Sequence, residues 1–109
     1  MKVSELGDKI GLKPLNSIYD KNVVGVFISD MVSDIVGEAK PGYILLTIQT
    51  HKNLIATANL VDISAIVYVR DKKPLPDVID LANRAEITLF STNLDASKLA
   101  VKLYQLGIE

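Results

Sequence analysis

No cysteine occurs in the 109 residues, which excludes a disulfide framework, a thiolate nucleophile and a Cys-based zinc site. His51 is the single histidine, so one chain cannot assemble a multi-histidine metal centre. Arginine is scarce, with Arg70 and Arg84 alone, and there are four tyrosines and two phenylalanines. A stacking platform for nucleic-acid bases is therefore not expected. Charge of neither sign dominates: twelve Lys and Arg against thirteen Asp and Glu leave a formal net charge of -1. No field draws such a chain to nucleic acid or to an anionic membrane. No apolar stretch approaches the roughly 18 residues needed to cross a bilayer. The opening Met1-Lys2-Val3-Ser4-Glu5-Leu6 is amphipathic and acidic early, unlike a signal peptide. The expectation is a cytoplasmic protein without metal or cofactor.

What is present is apolar. Hydrophobic residues make up 49%, ample for the core of one domain. Val3, Leu6 and Ile10 fall at helical spacing and Gly11 follows as a stop, which predicts a short first helix. Lys13-Pro14-Leu15-Asn16 reads as a brief edge strand, because proline cannot serve a central one. Residues 23–28 are β-branched and apolar, hence a strand. In residues 29–39, Val32, Ile35, Val36 and Ala39 suit a short helix capped by Ser33. Lys40-Pro41-Gly42-Tyr43 fits a type II turn.

Regular alternation follows. Residues 43–48, 65–69 and 88–90 read as strands. Leu54, Ala58 and Val61 mark the buried stripe of one helix, and Val78, Ala82 and Ala85 that of another opened by Pro76-Asp77. Residues 95–106 give the last helix, with Ala96, Leu99, Ala100 and Leu103 inward and Gly107 ending it. Strands without polar alternation, separated by helices, predict a single α/β domain. Its sheet is mostly parallel with helices on both faces, preceded by a short helix and an edge strand.

Right-handed crossovers then place the C-terminal strand ends along one edge. That edge carries Gln49, Thr50, His51, Lys52 and Asn53, then Arg70-Asp71-Lys72-Lys73, then Ser91, Thr92 and Asn93. The first of these loops interrupts an apolar run abruptly and leads straight into a helix, the usual setting of a binding site in such a domain.

Each candidate has a plainer counterpart. A lone imidazole at His51 suits a general base, yet no Gly-x-Ser-x-Gly and no Gly-rich phosphate loop accompanies it; a helix cap or a non-catalytic ligand contact is the simpler role. Thr50 or Asn53 caps the following helix, or its free start beside Lys52 receives an anion. Ser29-Asp30 and Ser33-Asp34 set paired carboxylates after one strand, which suits a metal or a shared proton, but a third ligand is missing. Arg70, Lys72 and Lys73 offer a phosphate or carboxylate contact, whereas Pro74 and Pro76 mark an exposed, solvated turn. Ser91-Thr92 either faces a ligand or caps the last helix.

The whole chain resembles the DRTGG domain family in its small stand-alone form. The resemblance rests on Val3-Ser4-Glu5-Leu6, Ser29-Asp30-Met31-Val32-Ser33-Asp34, Ala39-Lys40-Pro41-Gly42, Thr47-Ile48-Gln49-Thr50-His51 and Ser91-Thr92 followed by Ala96-Ser97-Lys98-Leu99-Ala100. The eponymous signature is absent. Thr50-His51-Lys52 stands where signature-bearing members have Gly-Asp-Arg, and Tyr68-Val69-Arg70 where they have Thr-Gly-Gly. The resemblance implies one domain over residues 1–109. It also implies a regulatory role, since such domains are often fused to CBS pairs or to phosphotransacetylase or cobyrinic-acid-synthase-like domains. The implied fold is similar to the N-terminal domains of HPr kinase/phosphorylase and a muramyl-peptide ligase. Without a phosphate-binding loop, the chain is not expected to be a kinase.

The expected function is a non-catalytic regulatory or ligand-sensing domain, working as a homodimer. It binds a small anionic metabolite or a nucleotide at Gln49, Thr50, His51 and Asn53, with Ser29, Asp30, Ser91 and Thr92 as further contacts. The homodimer also follows from Ile28, Met31, Val32, Ile35 and Val36 crowding one short segment. A protein-interaction adaptor without a small ligand is the alternative, and a small enzyme using His51 the third.

Overall fold

The computed structural model describes residues 1–109. The first helix, α1 (Val3–Ile10), buries Val3 and Leu6 and ends on Gly11, whose φ of 66° is the left-handed closure that glycine permits. The strand β1 (Lys13–Pro14) pairs antiparallel with β5 (Thr88–Ser91) at one edge of the sheet, where a missing N–H costs no ladder bond. At the other edge lies β2 (Gly25–Ile28), beside β3 (Tyr43–Thr47) and then β4 (Ala65–Tyr68). The five-stranded order is β1-β5-β4-β3-β2, and every pair but β1·β5 is parallel.

From β2 to β5 the chain always steps in the same direction across the sheet. Right-handed crossovers therefore put α2 (Val32–Glu38), α3 (Asn53–Val61) and α4 (Pro76–Arg84) on one face. Ile35, Leu54, Ala58, Val78 and Ala82 of these helices pack on Leu45, Ile66 and Leu89. The opposite face carries Ile44, Leu46, Val67 and Phe90. It is covered by α1 and the last helix, α5 (Ala96–Gln105), through Val3, Leu6, Leu99 and Leu103. Alternate residues of each buried strand thus feed two separate cores.

The turn expected at Lys40-Pro41-Gly42-Tyr43 forms, with Tyr43 N donating to Lys40 O at 3.2 Å and Gly42 at φ 84°. Two local expectations are corrected. Ser33 does not cap α2, which starts one residue before it, from Met31. Ser29 instead turns the chain there, its Oγ accepting from Met31 N at 3.1 Å. The strand expected to reach Ile48 stops at Thr47, because Ile48 N donates to the Asp30 carboxylate at 2.9 Å rather than to a neighbouring strand.

Candidate functional site

Thr47, Tyr68 and Ser91 stand side by side in register at the ends of β3, β4 and β5. The loops that follow them leave along one edge, and Ile28 of β2 ends there beside Leu46.

The β3–α3 loop is tied by a relay of side chains to backbone. Gln49 N donates to Thr47 Oγ1 at 3.0 Å, His51 N to Gln49 Oε1 at 3.1 Å, and Asn53 N to His51 Nδ1 at 3.1 Å. The helix start is therefore satisfied by the imidazole, not by Thr50 or Asn53. Lys52, at the capping position, offers no side-chain bond. With Nδ1 accepting, a neutral ring carries its proton on Nε2. Gln49, Thr50, His51 and Lys52 wall one side of an open cavity of about 330 Å³, and Leu75, Asp77 and Val78 at the start of α4 wall the other.

A second cavity of about 390 Å³ opens at the same edge toward α5. Asp30 borders it and bridges two strands: its Oδ1 accepts from Thr47 Oγ1 at 2.7 Å and from Ile48 N at 2.9 Å. Arg70 and Asp95 border it too, and both also line an adjoining hollow of about 560 Å³ reached by Asn93 and Lys98. Arg70 and Asp71 both take left-handed backbone, at φ 56° and 59°. Lys72 N donates to Val69 O at 3.1 Å, so they are the central pair of a type I′ turn. Non-glycine residues there carry strain of order 1–3 kcal/mol each. The bonds that hold it are Arg70 N to Leu94 O and Asp71 N to Thr92 O, each 2.8 Å. The Arg70 guanidinium makes no hydrogen bond or ion pair within the chain.

Asp95 caps α5, accepting from Lys98 N at 2.9 Å and Ser97 Oγ at 2.8 Å. The amide bond, then the hydroxyl, and more weakly the Lys98 and Arg70 charges hold its carboxyl below the usual range. Ser91 and Thr92 do not cap this helix. Thr92 Oγ1 instead accepts from Leu94 N at 3.2 Å, and Ser91 is buried opposite Tyr68. Of the expected contacts, Gln49, Thr50 and His51 share the first cavity and Asp30 lies on the second. Ser29, Asn53, Ser91 and Thr92 line neither. Arg70 had appeared only as part of a basic loop, and Asp95 and Ser97 only as the start of a helix; their place on the second cavity depends on contacts far apart in sequence. Tyr68 is fully buried and its hydroxyl has no partner; burial pushes the phenol above its ordinary pKa, so it stays protonated.

No group of three or more His, Cys, Asp or Glu side chains lies together to hold a metal ion, and no helix is long and apolar enough to cross a membrane. No protein-family model and no curated protein matches the chain. Among solved structures, it is similar to the CBS and DRTGG domains of the regulatory region of Clostridium perfringens pyrophosphatase, complexed with its activator diadenosine tetraphosphate. The TM-score is 0.69 at 15% identity, over 90% of this chain and 44% of the other. The chain thus spans less than half of that regulatory region, and the likeness is one of architecture: a DRTGG-like α/β fold.

Proposed function

We propose that this chain is a non-catalytic regulatory module that senses a small anionic metabolite or nucleotide at the carboxyl edge of its sheet. The observation that carries this is the edge itself. Polar strand-end loops, fixed by their own side chains, border open cavities in which Lys52, Arg70 and Lys98 present cationic side chains. The structurally similar pyrophosphatase region is regulatory and is bound to a dinucleotide activator, which supports the same class of role here. Catalysis by His51 finds less support, because its Nδ1 is occupied by the Asn53 amide and no nucleophile is hydrogen-bonded to the ring.

Thermal shift with AMP, ATP, diadenosine tetraphosphate and citrate tests the proposal. A ligand at 100 times its Kd adds about 2.7 kcal/mol, on the order of 10 °C for a domain of this size. At least one probe is expected to produce a saturable rise. No rise with any of them up to millimolar concentration overturns the proposal.

One observation favours a second reading, in which the domain also pairs with a copy of itself. The β2 edge is free, and Val24, Ile28, Met31, Val32 and Val36 along β2 and α2 are 40–65% exposed, while Ile35 alone of the segment's apolar cluster is buried in the core. A free strand beside apolar side chains is a template for pairing. Light scattering at tens of micromolar decides: a dimeric mass supports it and a monomeric mass rejects it.

A further inference from the structure

We propose that the cavity on the α5 side is a 5′-ribonucleotide site, in which Arg70 and Lys98 take the phosphate and Asp30 the ribose hydroxyls. It rests on the ligand-sensing role above and names the ligand class and its orientation. Three properties of the two adjoining hollows point to it.

The first is a cation carried on a fixed backbone. Arg70 sits on a type I′ turn whose two left-handed residues are held by the Leu94 and Thr92 carbonyls. Arg70 lines both hollows, and its guanidinium has no hydrogen-bond partner within the chain. A side chain on a strained, over-determined turn is the kind of backbone outlier from which function is inferred. A free guanidinium fits a phosphate bidentately. Lys98 and the Asn93 amide line the outer hollow with it. The one opposing charge there, Asp95, has Oδ1 committed to the Ser97 hydroxyl and the Lys98 amide as the cap of α5.

The second is an acceptor in the inner hollow. Asp30 uses only Oδ1 toward Thr47 and Ile48. Its Oδ2 remains free to accept from hydroxyls, and the carboxylate cannot swing away without breaking both bonds. The third is an apolar wall. Ile28 and Ile48 flank the inner hollow with 50% and 38% of their surface exposed, and the buried Val69 also lines it. A base laid on them covers surface that the domain leaves in water. The apolar wall and Asp30 line the inner hollow alone, Lys98 the outer alone, and Arg70 both, which suits base and ribose in the first and phosphate toward the second. The inner hollow, about 390 Å³, falls within the usual range of small-molecule pockets.

Isothermal titration of the whole chain with AMP, 2′-deoxy-AMP and adenosine tests this. Wild type is expected to bind AMP at least about tenfold more tightly than adenosine, the discrimination a charge-assisted contact gives, and more tightly than 2′-deoxy-AMP. Arg70→Gln and Lys98→Gln should each weaken AMP and leave adenosine unchanged, while Arg84→Gln on α4 should change neither. Equal AMP affinity in wild type, Arg70→Gln and Lys98→Gln overturns the proposal, as does equal binding of AMP and adenosine by wild type. Loss of AMP binding in Lys52→Gln but not in Arg70→Gln assigns the ligand to the other cavity, and the ligand-sensing role then survives while this site does not. If none of the three binds, this site falls, and the ligand-sensing role stands or falls by ATP, diadenosine tetraphosphate and citrate. Should Arg70→Gln fail to fold, Lys98→Gln and the three ligands on wild type still decide.

Discussion

The Thr47 hydroxyl donates to the Asp30 carboxylate at 2.7 Å, joining the ends of β3 and β2 across 17 residues of sequence. The same hydroxyl accepts from Gln49 N at 3.0 Å, so one buried oxygen fixes the entry to both edge cavities. Thr47→Val keeps the shape and removes both bonds, leaving Gln49 N unpaired. It is expected to cost about 1.5–3 kcal/mol, the range for hydrogen bonds to charged groups. Urea denaturation measures it, and a loss below about 0.5 kcal/mol would show that the tie is idle.

His51 acts on α3 as a cap through Nδ1. His51→Ala should destabilise by about 0.5–2 kcal/mol, as cap removal does. His51→Asn should recover most of that, since an asparagine oxygen reaches the amide two residues on. Chemical denaturation of the three proteins checks the order; alanine and asparagine behaving alike would refute the capping role.

Tyr68→Phe removes a buried hydroxyl that has no partner. An unmade bond of this kind costs about 1–3 kcal/mol, so the variant should be the more stable by about 1 kcal/mol, or roughly 4–8 °C in Tm. A lower Tm would reveal a partner for the hydroxyl.

Asp20 and Asp95 both have carboxyls held below the ordinary range. For Asp20 the chief cause is the Ser4 amide at 3.0 Å, with the Ser4 hydroxyl on its other oxygen; for Asp95 it is the Lys98 amide. A folded-state pKa below the unfolded value of about 3.9 stabilises above that pH. The contribution is lost as pH falls through the folded value. Stability of wild type should therefore drop below about pH 4, and Asp20→Asn and Asp95→Asn should each drop less steeply there. Acid titrations of unfolding free energy with unchanged slopes would contradict this.

Periodicity and local chemistry determined the architecture. Unbroken apolar runs at β3 and β4 announce strands buried on both faces, Pro14 marks an edge, and Pro41-Gly42 marks its turn. Parallel strands with right-handed crossovers then leave no choice about which ends share an edge. Tertiary structure decided what the edge residues do. Capping went to His51 and Asp95 rather than to Thr50, Asn53, Ser91 or Thr92, because the donors that need satisfying depend on where each helix axis begins. The sheet itself parts the edge into one cavity toward α3 and α4 and another toward α5, separating His51 from Asp30. The left-handed backbone of Arg70 and Asp71 was invisible in a basic loop, because no glycine signals it. It exists because carbonyls of the loop after β5, distant in sequence, hold those two amides.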